Sequence, residues 1–312
     1  MRKPIALLLA AALLACLMLS CGVREERGSG SLVVATNFVL YDTARSLAGD
    51  FADVRMLLAP GAEAHEYELT LADADLISRA DLFLYVGGES EDWVGDLFAS
   101  MGEEDRPLSF RAADCAELRE EEEIEGMQSE GVHGEEEEFD EHVWTSFGNL
   151  FAIARGASEA MKDRFPEYAD RVDENLGRYE AEMEALEREY REMAESAARR
   201  TVVFADRFPF LYLAKELGLE YYAAFSGCSS NVEASLATVS FLVNKVKEEG
   251  IPSVFIIEFS DGKCAEAVAV ETGCGIRTLF SGHNVSPEDF ARGITYADLL
   301  RLNLEALRAA LN

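Results

Sequence analysis

Short apolar runs of the kind that form β-strands alternate with helical patterns in two separate parts of the chain. The strand-like runs lie at 32–36, 54–60, 82–87, 201–206, 221–225, 253–258 and 276–280. Strands that alternate with helices in this way favour parallel sheets whose connections run through the helices. The sequence therefore predicts an α/β fold with two lobes, each a mainly parallel sheet flanked by helices.

A long helix is predicted between these two parts, over residues 166–198. Its apolar residues recur at spacings of three and four, and they are Val172, Leu176, Tyr179, Met183, Leu186, Tyr190 and Met193. At about 1.5 Å per residue such a helix would run roughly 40 Å, enough to join an N-terminal lobe at 32–165 to a C-terminal lobe at 199–312. A homodimeric coiled coil would use the same stripe. We favour the interlobe helix, in a monomer.

The N-terminal residues have the pattern of a bacterial export signal. A basic start precedes an apolar run at 5–19, which is shorter than a membrane span and typical of a signal peptide. The run ends in LSCG, where small residues stand beside Cys21 as in a lipobox. We predict a lipoprotein signal peptide at 1–20, lipidation of Cys21 and a flexible tether at 21–31. The alternatives are an ordinary secretory signal or lipidation of Cys16.

Acidic residues outnumber basic residues 59 to 28, which gives a formal charge of −31. A chain of this charge repels nucleic acid and anionic lipid surfaces and tolerates cations. The acidic residues are concentrated at 117–141, where almost no apolar side chains could anchor the chain, so we predict a mobile loop. Either this loop is simply solvated, or it collects divalent cations loosely, with His133 as an accessory ligand.

Four cysteines follow the predicted signal: Cys115, Cys228, Cys264 and Cys274. An exported chain could pair them, but the sequence does not choose among the possible pairings. No CxxC pair is present, which argues against a thiolate zinc site of the finger type.

The four histidines of the chain occupy distinct positions. His65 lies in AHEYE between a predicted strand and a helix, His142 lies in DEHVW, and His283 lies in SGHNVS just after the last predicted strand. Loops at the ends of strands and helices are where α/β folds assemble ligand sites. Neutral imidazole is the usual nitrogen donor for zinc. The fourth histidine, His133, lies in the acidic segment.

Several segments in order resemble a known family. They are AHEYE at 64–68, YVGGESEDWV at 85–94, DEHVW at 140–144, SSNVEASLATVSFLVNKVKEEG at 229–250, IIEFSDGKCAEAVAVETG at 256–273 and TYADLLRLNLEAL at 295–307. Together they resemble the metal-binding lipoproteins of zinc and manganese ABC importers, which form the solute-binding family 9. The resemblance covers essentially the whole mature chain and implies two lobes with a metal in the cleft between them.

The resemblance also implies a ligand set, with one departure. His65 and His142 match the two ligand histidines of the N-terminal lobe. At the usual third position the chain has Ala205, which cannot bind metal. We therefore predict His283 as the third nitrogen ligand and Asp206, or a water, as the fourth contact; an ion pair or a helix cap is the alternative role for Asp206.

Three further carboxylates could accept hydrogen bonds from the N–H groups of the ligand imidazoles, or occasionally bind the metal themselves. They are Glu63, Glu66 and Glu258. An imidazole-rich set favours Zn(II), whereas Mn(II) sites rely more on carboxylates and water.

The function implied is that of an extracytoplasmic, lipid-anchored receptor on the bacterial cell membrane. It would bind Zn(II) and deliver the ion to the permease and ATPase of an ABC importer. A manganese or iron receptor on the same scaffold, a metal-containing adhesin and a zinc hydrolase are the alternatives. The chain has neither HExxH nor a Gly-x-Ser-x-Gly elbow, so we expect no enzyme activity.

Overall fold

Two four-stranded parallel sheets form the framework of the protein. The computed structural model describes residues 30–128, 139–227, 229 and 233–312. The first sheet contains β1 (Ser31–Ala35), β2 (Ala52–Met56), β3 (Leu82–Tyr85) and β4 (Leu108–Arg111) in the order β2-β1-β3-β4. The second contains β5 (Thr201–Phe208), β6 (Glu220–Ser226), β7 (Ser253–Ile257) and β8 (Gly275–Leu279) in the order β6-β5-β7-β8. All of these neighbouring strands are parallel, which confirms the predicted fold class.

Helices connect and cover the strands. The described α-helices are α1 (Phe38–Ala48), α2 (Leu71–Arg79), α3 (Trp93–Ser100), α4 (Phe147–Arg164), α5 (Ala169–Ser196), α6 (Leu211–Leu217), α7 (Leu236–Glu249), α8 (Lys263–Thr272), α9 (Pro287–Arg292) and α10 (Tyr296–Leu311). Hydroxyl side chains begin several of them; for example, Ser146 accepts a hydrogen bond from the Asn149 amide at the start of α4. None of the helices in the described ranges is both long and apolar enough to cross a membrane.

The long helix α5 joins the two halves of the fold. It begins after a 3₁₀ turn at Pro166–Tyr168, so the α-helix itself starts three residues later than predicted. It packs on α1 and α4 of the first half and on α6 and α10 of the second. The Tyr179 hydroxyl lies 3.2 Å from the Thr43 hydroxyl, and the Tyr190 hydroxyl donates to the Leu300 carbonyl oxygen over 2.7 Å. The stripe is therefore used for contacts within one chain.

The ends of the acidic segment are anchored, which differs from the mobile loop that the composition predicts. Glu120 forms a β-bridge with Phe139. Glu122 accepts hydrogen bonds of 2.8 Å from Lys215 and from the Tyr221 hydroxyl. Charge pairing and backbone hydrogen bonds hold these ends, and Met127 and Phe139 also pack against the apolar core.

Several predictions from the sequence fall outside the described residues. They concern the signal peptide, the lipidation of Cys21, His133 and Cys228. The three other cysteines after the predicted signal, Cys115, Cys264 and Cys274, are free thiols.

Candidate metal centre

Three loops at the carboxyl ends of the parallel strands carry the histidines. His65 lies in a 3₁₀ turn, Ala64–Glu66, in the connection that follows β2. His142 immediately precedes the 3₁₀ turn that leads into α4, and His283 follows β8. Carboxyl ends of parallel strands are where α/β folds place their ligand sites. The first half of the fold thus supplies two imidazoles and the second half supplies one.

Hydrogen bonds from the Asn284 side chain and from the backbone tie the His65 and His283 loops together. The Asn284 side-chain amide donates to the carbonyl oxygens of Ala59 and Ala62 over 2.7 and 2.8 Å. The Gly61 amide donates to the Val285 carbonyl oxygen over 2.9 Å. Residues next to His65 are thereby fixed against residues next to His283, although the two histidines are far apart in the sequence.

The three imidazoles converge. One ligand nitrogen from each of His65, His142 and His283 lies within 4.8 Å of the other two. The ring centroids are 4.6 Å apart for His142 and His283, 5.0 Å for His65 and His283, and 5.7 Å for His65 and His142. In the described part of the chain no other group of His, Cys, Asp or Glu side chains meets this criterion. Nitrogens that share a tetrahedral zinc lie about 3.4 Å apart, so small ring movements would complete such a set.

Each imidazole has an oxygen near its Nδ1 atom. The His142 Nδ1 is 2.8 Å from an Asp140 carboxylate oxygen, and the His283 Nδ1 is 3.2 Å from the Ser281 hydroxyl. The His65 Nδ1 is 3.4 Å from Oε1 of Glu141. The Nε2 atom of His142 is fully buried without a hydrogen-bond partner. An oxygen on Nδ1 leaves Nε2 as the metal-binding atom, and the unpartnered Nε2 of His142 fits that role.

Asp206 does not join the group, contrary to the expectation that it contacts the metal. Its Oδ1 accepts from the Arg207 amide over 2.8 Å, and its Oδ2 accepts from the Ile257 amide over 3.1 Å. It lies where the pairing of β5 with β6 shifts register, between Phe204 and Arg207. Both oxygens therefore satisfy backbone amides at a strand irregularity. Ala205, at the usual third-ligand position, is buried in the apolar core of the second half.

The other three carboxylates singled out in the sequence have different surroundings. Glu258 accepts hydrogen bonds from the Ser281 amide, the Ser281 hydroxyl and the Gly282 amide over 2.7, 2.5 and 3.2 Å. It thus reaches His283 through Ser281. Glu63 forms a two-pronged ion pair with Arg207, with oxygen to nitrogen distances of 3.0 and 3.1 Å. Glu66 shares the 3₁₀ turn of His65 and is outside the converging group.

The environment keeps two of the imidazoles neutral. Burial lowers the pKa of His65 to about 3, and positive charge on His142 and Arg207 acts in the same direction. Burial also holds the pKa of His283 well below its ordinary value, again with help from neighbouring positive charge. Burial opposes the charged form of His142 as well, but the adjacent Asp140 carboxylate outweighs it and raises the pKa of that imidazole. Neutral imidazole is the form that coordinates a metal ion.

Four residues of the centre were not singled out from the sequence: Asp140, Glu141, Arg207 and Ser281. The two acidic residues are visible in DEHVW beside His142, and that adjacency was the available signal. The contact from Glu141 to His65 and the Glu63–Arg207 ion pair join residues 76 and 144 positions apart, so no local pattern indicates them.

The fold and the centre together define a two-lobed α/β protein with a nitrogen-rich candidate metal site between its halves. Residues 33–310 match the model of the family described as zinc-uptake complex component A, periplasmic. The chain belongs to this family. The match confirms the resemblance noted in the sequence, and it confirms the prediction that the chain is not an enzyme, since the family consists of solute-binding proteins.

Individual relatives are similar along most of the chain. The zinc-binding lipoprotein AdcA of Streptococcus pneumoniae is 28% identical over 98% of the chain, which spans 60% of the length of that protein. The high-affinity zinc uptake system protein ZnuA of Bacillus subtilis is 28% identical, with 95% of each chain covered. The crystal structure of the Zn(II)-bound ZnuA-like domain of S. pneumoniae AdcA is 25% identical, with a TM-score of 0.75 over 91% of this chain and 99% of that domain.

Proposed function

We propose that this protein captures Zn(II) outside the cytoplasm and delivers it to the permease of an ABC importer. The convergence of His65, His142 and His283, with one ligand nitrogen from each within 4.8 Å of the others, carries the proposal. A cation held by ligands from both halves of the fold would stabilise one arrangement of those halves. A permease that recognises this arrangement would distinguish the loaded receptor from the empty one.

The donor set favours zinc over manganese. Three imidazoles supply nitrogen, and the carboxylates of Asp206 and Glu258 are already committed to hydrogen bonds with backbone amides. Manganese sites rely more on carboxylate and water oxygens. The relatives AdcA and ZnuA carry zinc in their names, which supports the same choice.

The proposal includes a lipid anchor at Cys21. It is supported by the signal-like sequence before this cysteine and by the name of the related lipoprotein AdcA. A Cys21→Ala variant expressed in its bacterial host is expected to leave the membrane fraction, and wild-type distribution of that variant would contradict the anchor.

Metal affinity tests the centre directly. Zinc dissociation constants are measured by competition with a chromogenic chelator for the wild type and for His65→Ala, His142→Ala and His283→Ala. Loss of a primary ligand should weaken zinc binding by more than about 100-fold, since loss of a mere supporting contact already costs 10–100-fold. His133→Ala is the matched control and should keep wild-type affinity.

Three outcomes would overturn parts of the proposal. Wild-type affinity in any of the three variants removes that histidine from the ligand set. Tighter binding of Mn(II) than of Zn(II) by the wild type overturns the choice of metal. A deletion strain that grows normally in zinc-chelated medium, under conditions in which the protein is expressed, contradicts the transport role.

A further inference from the structure

One carboxylate beside the centre has an oxygen with no hydrogen bond. The Glu141 side chain is 4% exposed. Its Oε2 accepts hydrogen bonds from the Ser90 amide and hydroxyl over 3.2 and 2.8 Å. Its Oε1 is fully buried and has no hydrogen-bond partner, and it is the only carboxylate oxygen in the described ranges in that state. A buried, unpartnered acceptor costs free energy, so this oxygen is placed to gain a partner.

The nearest identified donor is an imidazole of the proposed zinc site. The Nδ1 atom of His65 lies 3.4 Å from this Oε1. A charge-assisted hydrogen bond between nitrogen and carboxylate oxygen is about 2.8 Å long, so a small rotation of the His65 ring would form it. The other two imidazoles already have such an oxygen, from Asp140 and from Ser281.

We propose that Glu141 is a positioning residue that accepts a hydrogen bond from the Nδ1–H of His65 and thereby directs Nε2 of His65 toward the other two imidazoles. Two consecutive acidic residues then orient two histidines of different segments, since Asp140 contacts His142 and Glu141 faces His65. The Glu141 carboxylate also supplies negative charge close to a dication that is otherwise held by neutral rings. The inference rests on the proposed function, because it concerns the affinity of the same zinc site.

Close packing restricts where the Glu141 carboxylate can lie. Gly88 lies directly against it: a Cβ added at Gly88 would stand 2.3 Å from the Glu141 Oε2 and 2.4 Å from its Cβ. Any larger residue at position 88 would therefore displace the carboxylate. Together with the two hydrogen bonds from Ser90, this contact fixes one side of the carboxylate and leaves Oε1 directed at His65.

The first measurement is independent of metal. Nitrogen-15 NMR of the imidazoles in chelator-treated protein reports which ring nitrogen of His65 carries the proton. The Nδ1–H form should predominate in the wild type, and Glu141→Ala should shift His65 toward the mixture seen for free imidazole. Glu91→Gln is the matched control, because it neutralises another glutamate of the same region, whose carboxylate accepts a hydrogen bond from the Gly87 amide. Unchanged His65 signals in Glu141→Ala would overturn the proposal.

The second measurement is zinc affinity by chelator competition. Glu141→Gln and Glu141→Ala should bind zinc about 10–100-fold more weakly than the wild type, as expected for loss of an outer partner of a ligand histidine. Glu91→Gln should stay within about threefold. X-ray absorption of the zinc-loaded forms should give the same number of oxygen atoms bound to zinc in wild type and Glu141→Ala. Loss of a bound oxygen in the variant would make Glu141 a ligand and overturn its positioning role.

The inference and the proposed function fail in different ways. If the wild type binds no zinc but His65 still changes tautomer in Glu141→Ala, the zinc function is wrong and the hydrogen bond is right. If zinc binds tightly and every Glu141 variant retains wild-type affinity and wild-type His65 signals, the inference is wrong and the function remains.

Discussion

At the scale of single residues, three imidazoles converge while the neighbouring Asp206 carboxylate accepts hydrogen bonds from two backbone amides. His65, His142 and His283 could be singled out because four histidines in the whole chain are few enough to be weighed one by one, and three of them lie at element ends. Asp206 was expected beside the metal because it adjoins Ala205. Its oxygens instead accept hydrogen bonds from the amides of Arg207 and Ile257, at a register shift in β5. The sequence does not reveal that these amides need a side-chain acceptor.

A substitution at Asp206 separates these two roles. Asp206→Ala leaves the amides of Arg207 and Ile257 without their acceptor, so it should lower the free energy of unfolding by about 1–3 kcal/mol. Zinc affinity of the folded variant should change less than about threefold. Urea unfolding with a chelator and zinc competition measure the two quantities. A 100-fold loss of zinc affinity with unchanged stability would restore Asp206 as a ligand.

Glu91 gives a prediction about pH. Burial raises the pKa of this carboxyl to about 7 from an ordinary value of 4.5. Between those pH values the folded protein binds more protons than the unfolded chain, so this group makes the free energy of unfolding fall as pH rises. Glu91→Gln removes that term. In zinc-free protein the variant should therefore gain about 1–3 kcal/mol relative to wild type between pH 5 and pH 8; a constant difference across this range would contradict the raised pKa.

At the scale of elements, burial decided what could be predicted. The central strands are continuous apolar runs because both of their faces are covered, and the predicted strands at 32–36, 82–87 and 201–206 correspond to β1, β3 and β5. The edge strand β4 was missed, since two of its four residues are exposed and its sequence, LSFR, has no apolar run. The long helix could be predicted because one face of it is buried along nearly its whole length.

Substitutions of two tyrosines on α5 test whether this helix makes the two halves unfold together. Tyr179 contacts Thr43 in the first half, and Tyr190 donates to Leu300 in the second. Replacing either tyrosine by phenylalanine should lower the free energy of unfolding by about 0.5–1.5 kcal/mol. Because Ser31–Asn312 forms one compact unit, we expect a single unfolding transition. Each substitution should then shift that transition by the same amount whichever half of the protein is observed.

The two tryptophans make this test specific. Trp93 packs within the first half against Tyr67 and Phe83, whereas Trp144 also contacts Ser281 and His283 of the second half. In a Trp144→Phe background the fluorescence therefore reports the first half, while circular dichroism reports helices of both. If Tyr190→Phe shifts the circular dichroism transition and leaves the fluorescence transition where it is, the halves unfold separately and the cooperative role of α5 is wrong.

At the scale of the whole molecule, one of the contacts between the halves is an ion pair beside the metal centre. Glu63 precedes His65 in the first half, and Arg207 lies on β5 of the second; their ion pair is largely buried, with 21% and 5% of the side chains exposed. The positive charge of Arg207 reaches the imidazoles, since it contributes to the lowered pKa of both His65 and His283. The same contact therefore joins the halves and places a positive charge near the proposed zinc ion.

A double-mutant cycle at this pair tests both effects. Arg207→Met and Glu63→Gln should each lower the free energy of unfolding of zinc-free protein by about 1–3 kcal/mol. Their combination should cost less than the sum of the two, with a coupling of at least about 0.5 kcal/mol. Additive effects would mean that the pair contributes little to holding the halves together.

Removing the Arg207 charge should raise zinc affinity, although it lowers the free energy of unfolding. Arg207→Met removes a positive charge near the centre and frees the Glu63 carboxylate, so the folded variant should bind zinc about 3–10-fold more tightly than wild type. Arg207→Lys keeps the charge and is the control, with affinity close to wild type. Competition with a chelator at low and at high ionic strength measures the effect, which salt should reduce only slightly because the pair is largely buried. Equal affinity in the wild type and both variants would mean that Arg207 joins the halves without influencing the bound ion.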